Sequence, residues 1–485
     1  MHQTKFMNSR RHFLQATGAM ATGLFLQQSG AFAFTNADLV TRRPPISERK
    51  FTSKAVDETI AKIKKQIADP ELAWLFENCF PNTLDTTVDF EMIDGHPDTY
   101  VITGDIDAMW LRDSTAQVWP YLSLVKQDAH LQQLVEGVIR RQAKCIHLDR
   151  YANAFYKDEN KVSEWKSDLT EMKPGIHERK WEIDSLCYPV RLAHQYWKLT
   201  GQTAVFDKSW QESIELIVKT FKEQQRKHGE GPYKFQRTTA WATDGVPLGG
   251  YGYPVKPVGL ICSMFRPSDD ATIYPFLIPS NFFAVVSLRQ AAEMVKSIHN
   301  NNTLAAECTA LAGDVENAIK KYAEIDTPQH GKIYAYEING FGSFNLMDDA
   351  NVPSLLSLPY LDAVKDNDQV YRNTRKYVLS ADNPFFFKGT AGEGIGGPHA
   401  GMDMIWPLSI IMRGLTSNDS NEVKKCLQML KHSNAGTGFM HESFHKNDAS
   451  KFTRKWFAWA NTLFGELVLH TADKYPAILK QKFNA

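Results

Sequence analysis

Residues 99–114 read Thr-Tyr-Val-Ile-Thr-Gly-Asp-Ile-Asp-Ala-Met-Trp-Leu-Arg-Asp-Ser. Three carboxylates (Asp105, Asp107, Asp113), one guanidinium (Arg112) and one indole (Trp110) fall within this stretch. The apolar run from Tyr100 leads into Gly104, where a turn is expected. From Ala108 onward the residues suit a helix start, with Asp107 as an N-cap accepting from free helix amides. Arg112 offers a fork of donors, and Asp113 offers acceptors, to a polyhydroxylated ligand. Trp110 offers an apolar face of the kind that lies against a sugar ring. The same residues also read as a cap, a surface ion pair and a core tryptophan, and the stretch alone leaves both readings open.

Outward from this stretch the dominant signal is a helical period. Val56, Ile60, Ile63 and Ile67 share one face, as do Leu131, Leu134, Val135, Val138 and Ile139. Trp210, Ile214, Ile217, Val218 and Phe221 mark another, and Leu304, Cys308, Leu311, Val315, Ile319 and Tyr322 a fourth. Residues 181–199, 281–299, 403–414, 420–432 and 455–472 also read as helices, with Ser280 and Ser417 as caps. Strand signals are few: a hairpin from Ile333 to Ile338 turning at Asn339-Gly340, and a short strand from Tyr233 to Arg237. Helices alternating with long Gly-rich connections, without a fixed repeat, point to an all-α chain. Paired helices arranged in a ring would gather these loops at one end to form a site.

Lys+Arg and Asp+Glu both number 55, so net charge draws the chain toward neither nucleic acid nor anionic membranes. Ser9-Arg10-Arg11-His12-Phe13-Leu14 is a twin-arginine pattern, followed by an uncharged stretch ending in Ala31-Phe32-Ala33. Residues 1–33 are read as a twin-arginine signal peptide, 34–50 as an extended lead-in, and 51–485 as a single catalytic domain. The expected location is periplasmic or secreted, with no membrane association after cleavage. The six cysteines are spread singly, without Cys-x-x-Cys or zinc-ligand spacing, and read as buried thiols.

The chemistry-bearing residues fall in the loops. Cleaving a glycosidic bond requires one carboxylic acid to protonate the leaving oxygen and one carboxylate to activate water or attack. Asp269-Asp270 supplies a like-charged pair, although Ser268 or Asp269 also reads as a helix cap. Glu442 sits between His441 and Ser443 in a Gly-flanked loop. His399 and His441 lack metal-ligand spacing and read as hydrogen-bond partners of sugar hydroxyls or as core residues.

Taken together, TGDIDAMWLRDS (103–114), FRPSDDA (265–271), IPSN (278–281), MDMIWPLSI (402–410), HESF (441–444) and RKWFAWAN (454–461) resemble glycoside hydrolase family 125, the exo-α-1,6-mannosidases. The resemblance runs from about residue 55 to the C-terminus. It implies an (α/α)6 toroid and a metal-independent, cofactor-free, inverting release of terminal mannose from a mannose-containing oligosaccharide. It places the catalytic acid on Asp269 or Asp270, with Asp269 favoured, and the base on Glu442. Arg112, Asp113, Arg266 and His441 fall where the family contacts mannose. His399 is a further candidate contact, and Trp110, Trp241, Tyr251 and Trp406 are candidate ring contacts. The competing readings are a helical-toroid hydrolase of glucosides, a calcium-dependent mannosidase and a non-catalytic glycan-binding protein.

Overall fold

The computed structural model describes residues 39–483; the twin-arginine pattern and its cleavage site lie outside the described residues. The helices divide into two sets by how they begin. Lys54–Lys64, Pro70–Cys79, Ala129–Leu148, Lys208–Gln224, Asn302–Tyr322, Gln369–Val378 and Ser420–Ser433 each start from a polar side chain that accepts a first-turn amide. The caps are Ser53, Asp69, Asp128, Asp207, Asn301, Asp368 and Asp419. Each stabilises its helix by about 1 kcal/mol. These helices bury one stripe and leave the other face wet, as their sequence period requires.

The second set is Leu111–Val118, Ile183–Thr200, Ile278–His299, Pro407–Leu415 and Ala458–Lys474. None of these has a side-chain cap. Leu111–Val118 is buried along its whole length and lies between Ile183–Thr200 and Ala458–Lys474. Ile183–Thr200 packs in turn on Ile278–His299, and Ala458–Lys474 on Pro407–Leu415. The sixth wall is the helix-poor segment 347–364. Its Val352 carbonyl accepts from Tyr188 Oη at 2.8 Å, and its Tyr360 carbonyl accepts from Arg191 Nη2 at 3.0 Å. These walls form the inner ring of an (α/α)6 toroid, with the capped helices outside.

Inner helices satisfy their first amides from elsewhere in the chain. Leu111 N donates to Asn153 O at 3.1 Å, Ile183 N to Ser263 Oγ at 3.1 Å, Ile278 N to Tyr336 O at 2.9 Å and Ala458 N to Thr103 O at 3.1 Å. Pro407 opens its helix with no amide to satisfy. Short antiparallel strands precede three of them. Met109–Trp110 pairs with Ala154–Phe155, Phe276–Leu277 with Glu337–Ile338, and Met404–Ile405 with Ser443–His445. The N-terminal ends of the inner ring are thereby laced together by the loops that carry the polar motifs.

This arrangement corrects several expectations. Asp107 does not cap a helix; the helix starts at Leu111, and Asp107 is exposed and paired with Lys161 Nζ at 2.9 Å. Ser280 lies inside Ile278–His299, and Asp419 rather than Ser417 caps the helix after it. The 333–338 run is split: Gly331–Tyr334 pairs with Glu324–Thr327, while Glu337–Ile338 pairs across the Asn339-Gly340 turn with Phe344–Asn345. Residues 233–237 form no strand; Tyr233 and Phe235 are simply buried. All six cysteines are buried free thiols, as expected.

Candidate active site

Arg112 enters on the first turn of an inner helix and is buried. Its Nη1 lies 2.6 Å from Glu182 Oε2 and 3.3 Å from Asp184 Oδ2, its Nε 3.3 Å from Asp113 Oδ2, and its Nη2 3.5 Å from Asp269 Oδ1. One cation therefore serves four carboxyl groups. Burial, with the like charges alongside, pushes Glu182 well above the usual carboxylate range and Asp184 up to about 6, despite Arg112.

Arg266-Pro-Ser-Asp-Asp is a tight turn and not a helix start. Asp269 N donates to Arg266 O at 2.9 Å, and Arg266 N donates to Asp270 O at 2.8 Å. Asp269 takes a left-handed φ of +68°, and the two acids diverge. Asp269 faces Arg112 and accepts from Asn153 Nδ2 at 3.4 Å. Asp270 accepts from Ser268 Oγ at 3.4 Å, and its Oδ1 lies 3.8 Å from His399 Nδ1. The Asp269 side chain keeps 13% of its surface exposed, whereas that of Asp270 keeps none. The Arg266 guanidinium ties the turn to the Glu337–Ile338 strand: its Nε donates to Glu337 Oε1 at 2.7 Å.

Glu442 is buried at the start of the strand pair that follows Met440. Its Oε2 accepts from Thr453 Oγ1 at 3.0 Å, and its Oε1 lies 3.4 Å from Arg454 Nη1. Arg454 is anchored by Asp105 and by Thr103 Oγ1 at 3.2 Å, which ties the first motif to the last. His399 joins the two halves. Burial opposes charge on its imidazole, but Asp270, Glu442 and Asp269 together outweigh that and raise its pKa. One ring thus lies within the field of all three acids expected to act, although they come from loops far apart in sequence.

The remaining candidates have varied placements. Asp113 is buried on the Arg112 helix and lies within the field of Arg454. Trp110 packs with Ala108, Ala154 and Tyr156 and meets His177 edge-on at 5.2 Å, within the wall. His441 stacks on Phe452 at 3.7 Å, with Nε2 3.3 Å from Asn434 O. Burial lowers its pKa to about 4, so it braces the Glu442 loop as a neutral ring. Trp406 is buried against His399, with ring centroids 6.0 Å apart, while Trp241 stands 40% exposed at the surface. Tyr251 is partly buried, and its carbonyl accepts from Arg226 Nη1 at 2.8 Å. Arg266 Nη2, Asp270 Oδ1, His399 Nδ1 and Trp406 Nε1 are buried without a hydrogen bond inside the protein, a pattern that suits a hydroxyl-rich ligand. Among the described residues, no group of three His, Cys, Asp or Glu side chains is placed to hold a metal ion.

Residues beyond the sequence candidates also build the site: Asn153, Glu178, Lys180, Glu182, Asp184 and Arg454. Their one available signal was the dense charge of Glu178-Arg-Lys-Trp-Glu-Ile-Asp184 running straight into a helix. Arg454 was visible only as the first letter of a motif.

Residues 69–469 match the family described as metal-independent α-mannosidase. The chain belongs to glycoside hydrolase family 125. It is 42% identical over 458 residues to the meiotically up-regulated gene 157 protein of Schizosaccharomyces pombe, covering 91% of this chain and 90% of that one. Among solved structures it is similar to the metal-independent α-mannosidase of Streptococcus pneumoniae in a non-productive complex with α-1,6-mannobiose. The two are 41% identical with a TM-score of 0.83, covering 87% of this chain and 99% of that one. A bacterial glucoamylase bound to acarbose shares only the fold, at 14% identity and a TM-score of 0.52 over 90% of this chain and 59% of that one. As a family 125 member the chain is a glycoside hydrolase of the α-mannosidase class, built on the (α/α)6 toroid.

Proposed function

We propose that this family 125 enzyme removes single terminal mannose units from α-1,6-linked mannosides with inversion. Asp269 is the general acid and Glu442 the general base. The observation that carries the reading is that each acid is held by its own buried guanidinium, Asp269 by Arg112 at 3.5 Å and Glu442 by Arg454 at 3.4 Å, while both lie within the electrostatic field of the buried His399 ring. A relative that binds α-1,6-mannobiose supports the substrate class. Asp269 is preferred to Asp270 because its side chain reaches open space and the other does not.

In the reaction, the Asp269 carboxylic acid gives its proton to the glycosidic oxygen as the bond to C1 breaks. Glu442 takes a proton from a water molecule as the water oxygen bonds C1 from the opposite face. The fixed charge of Arg112 and the oriented groups around it are in place before the oxocarbenium character develops, without solvent reorganisation. Arg112, Asp113 and His399 are the proposed sugar contacts, with Asp270, Arg266 and His441 supporting the loops that present the acids.

NMR of the sugar first released from α-1,6-mannobiose tests the assignment. β-Mannose appearing before mutarotation is expected; α-mannose first, or no cleavage, would overturn it. We also propose export by the twin-arginine route, on the strength of Arg10-Arg11 and Ala31-Phe32-Ala33. Replacing both arginines by lysine should leave the protein in the cytoplasm of a twin-arginine-competent host.

A further inference from the structure

Asp269 stands in a left-handed conformation, one a side-chain-bearing residue keeps only when its surroundings enforce it. Beside the turn's own hydrogen bonds and Arg112, Lys180 reaches Asp269 at both its main chain and, through Asn153, its carboxyl. Lys180 is 2% exposed, and its ammonium donates to Asp269 O at 2.9 Å and to Asp244 Oδ1 at 2.9 Å, with Glu178 Oε1 3.3 Å away. Two of its donors are thus committed to hydrogen bonds, and the Glu178 carboxylate adds an ion pair. The backbone N of Lys180 donates to Asn153 Oδ1 at 3.0 Å, and Asn153 Nδ2 donates to Asp269 Oδ1 at 3.4 Å. The main chain and the carboxyl of Asp269 are therefore both referred to Lys180. Arg237 completes the charge balance, with Nη1 2.9 Å from Glu178 and 3.4 Å from Asp244. Burial opposes the Lys180 charge, but Glu178 and Asp244 outweigh it, so the ammonium stays protonated.

We propose that Lys180, through its ammonium and through Asn153, is the positioning residue that aims the carboxyl of Asp269 at the leaving oxygen. It touches no substrate. A general acid must sit within hydrogen-bond reach of the atom it protonates, so a small drift of the turn removes its contribution. The inference rests on Asp269 being the acid.

The test is the dependence of kcat/KM on the leaving group. α-1,6-Mannobiose needs protonation of its departing hydroxyl, whereas 2,4-dinitrophenyl α-mannoside departs as a stable anion. Asp269→Asn, Lys180→Met and Lys180→Met/Asp244→Asn are compared with wild type, with thermal unfolding as the control for folding; the double variant removes the charge that Lys180 leaves unbalanced. Each is expected to lose about 100-fold or more on mannobiose and less than about 10-fold on the dinitrophenyl substrate. If D269N shows that split and folded Lys180 variants lose activity equally on both substrates, or on neither, the Lys180 inference is overturned while the acid assignment stands. If D269N itself shows no split, the acid assignment falls instead. If neither Lys180 variant folds, Asn153→Ala, which leaves the charges in place, decides: a split supports the positioning role and an equal loss overturns it.

Discussion

Glu442 and Arg454 face each other at 3.4 Å, and the guanidinium that meets Glu442 is clasped from the other side by Asp105 of the first motif. The base is thus held by a residue whose own anchor comes from the far end of the chain. Glu442→Gln keeps the shape and the Thr453 contact but cannot accept a proton from water. It should lower kcat on α-1,6-mannobiose by about 1,000-fold while calorimetry still detects mannobiose binding. A fully active variant would remove Glu442 from the mechanism.

Gly104 makes that anchoring possible. It has a φ of +127°, and a Cβ there would lie 2.5 Å from Trp456 O, in the strand-like bridge that joins the first and last motifs. Gly104→Ala must push the two motifs apart or strain the backbone. A stability loss of about 1–3 kcal/mol in urea unfolding is expected, with reduced kcat because Arg454 moves with the bridge.

Arg112 is the cation that four buried carboxyl groups share. Arg112→Met leaves Glu182 and Asp184 buried without their guanidinium partner, and breaking such a pair costs about 3–5 kcal/mol. Urea unfolding should show that loss, and activity should fall below detection. A variant of unchanged stability would show that the cluster is neutral in the native state.

Stability should also depend on pH through Asp348, which is fully buried and caps the amides of Leu355 and Leu356 at 2.8 and 3.0 Å. Burial, with Asp349 adjacent, raises its pKa from 3.8 to about 8 despite those amides. The native state therefore keeps a proton that the unfolded chain releases. This contribution is complete below about pH 4 and is lost as the pH rises to 8, by at most roughly 1.4 kcal/mol per unit. Urea midpoints from pH 5 to 8 should fall less steeply in Asp348→Asn than in wild type. Equal slopes would count against the assignment.

Catalysis by two carboxyl groups predicts no response to metal removal. Activity on α-1,6-mannobiose after EDTA treatment and gel filtration should match the untreated enzyme, and calcium should add nothing. Loss with EDTA and recovery with calcium would support a metal-assisted hydrolase instead.

The helical period and the acidic motifs were legible in the sequence because both are local. An outer helix announces itself by one apolar stripe and by a cap such as Asp128 or Asp207 within its own first turn. Asp269, Asp270 and Glu442 could be singled out only through the order of the motifs that resemble family 125; their local spacing alone read equally as a helix cap and a surface ion pair. The cap expectations at Asp107 and Ser280 failed for a physical reason. Inner helices take their first hydrogen bonds from Asn153, Ser263, Tyr336 and Thr103, which lie elsewhere in the chain, so no neighbouring residue signals where they begin.

By itself, the sequence determined a mostly helical chain, through its period, and the family 125 resemblance that implies a toroid and its acids, through the order of its motifs, since both are written residue by residue. Only the tertiary structure decided which acid faces open space, that Glu178, Lys180, Glu182 and Asp184 surround Arg112 and Asp269, and that Arg454 holds Glu442. Those relations depend on burial and on charges meeting across the ring, and distance in space leaves no trace in the order of the chain.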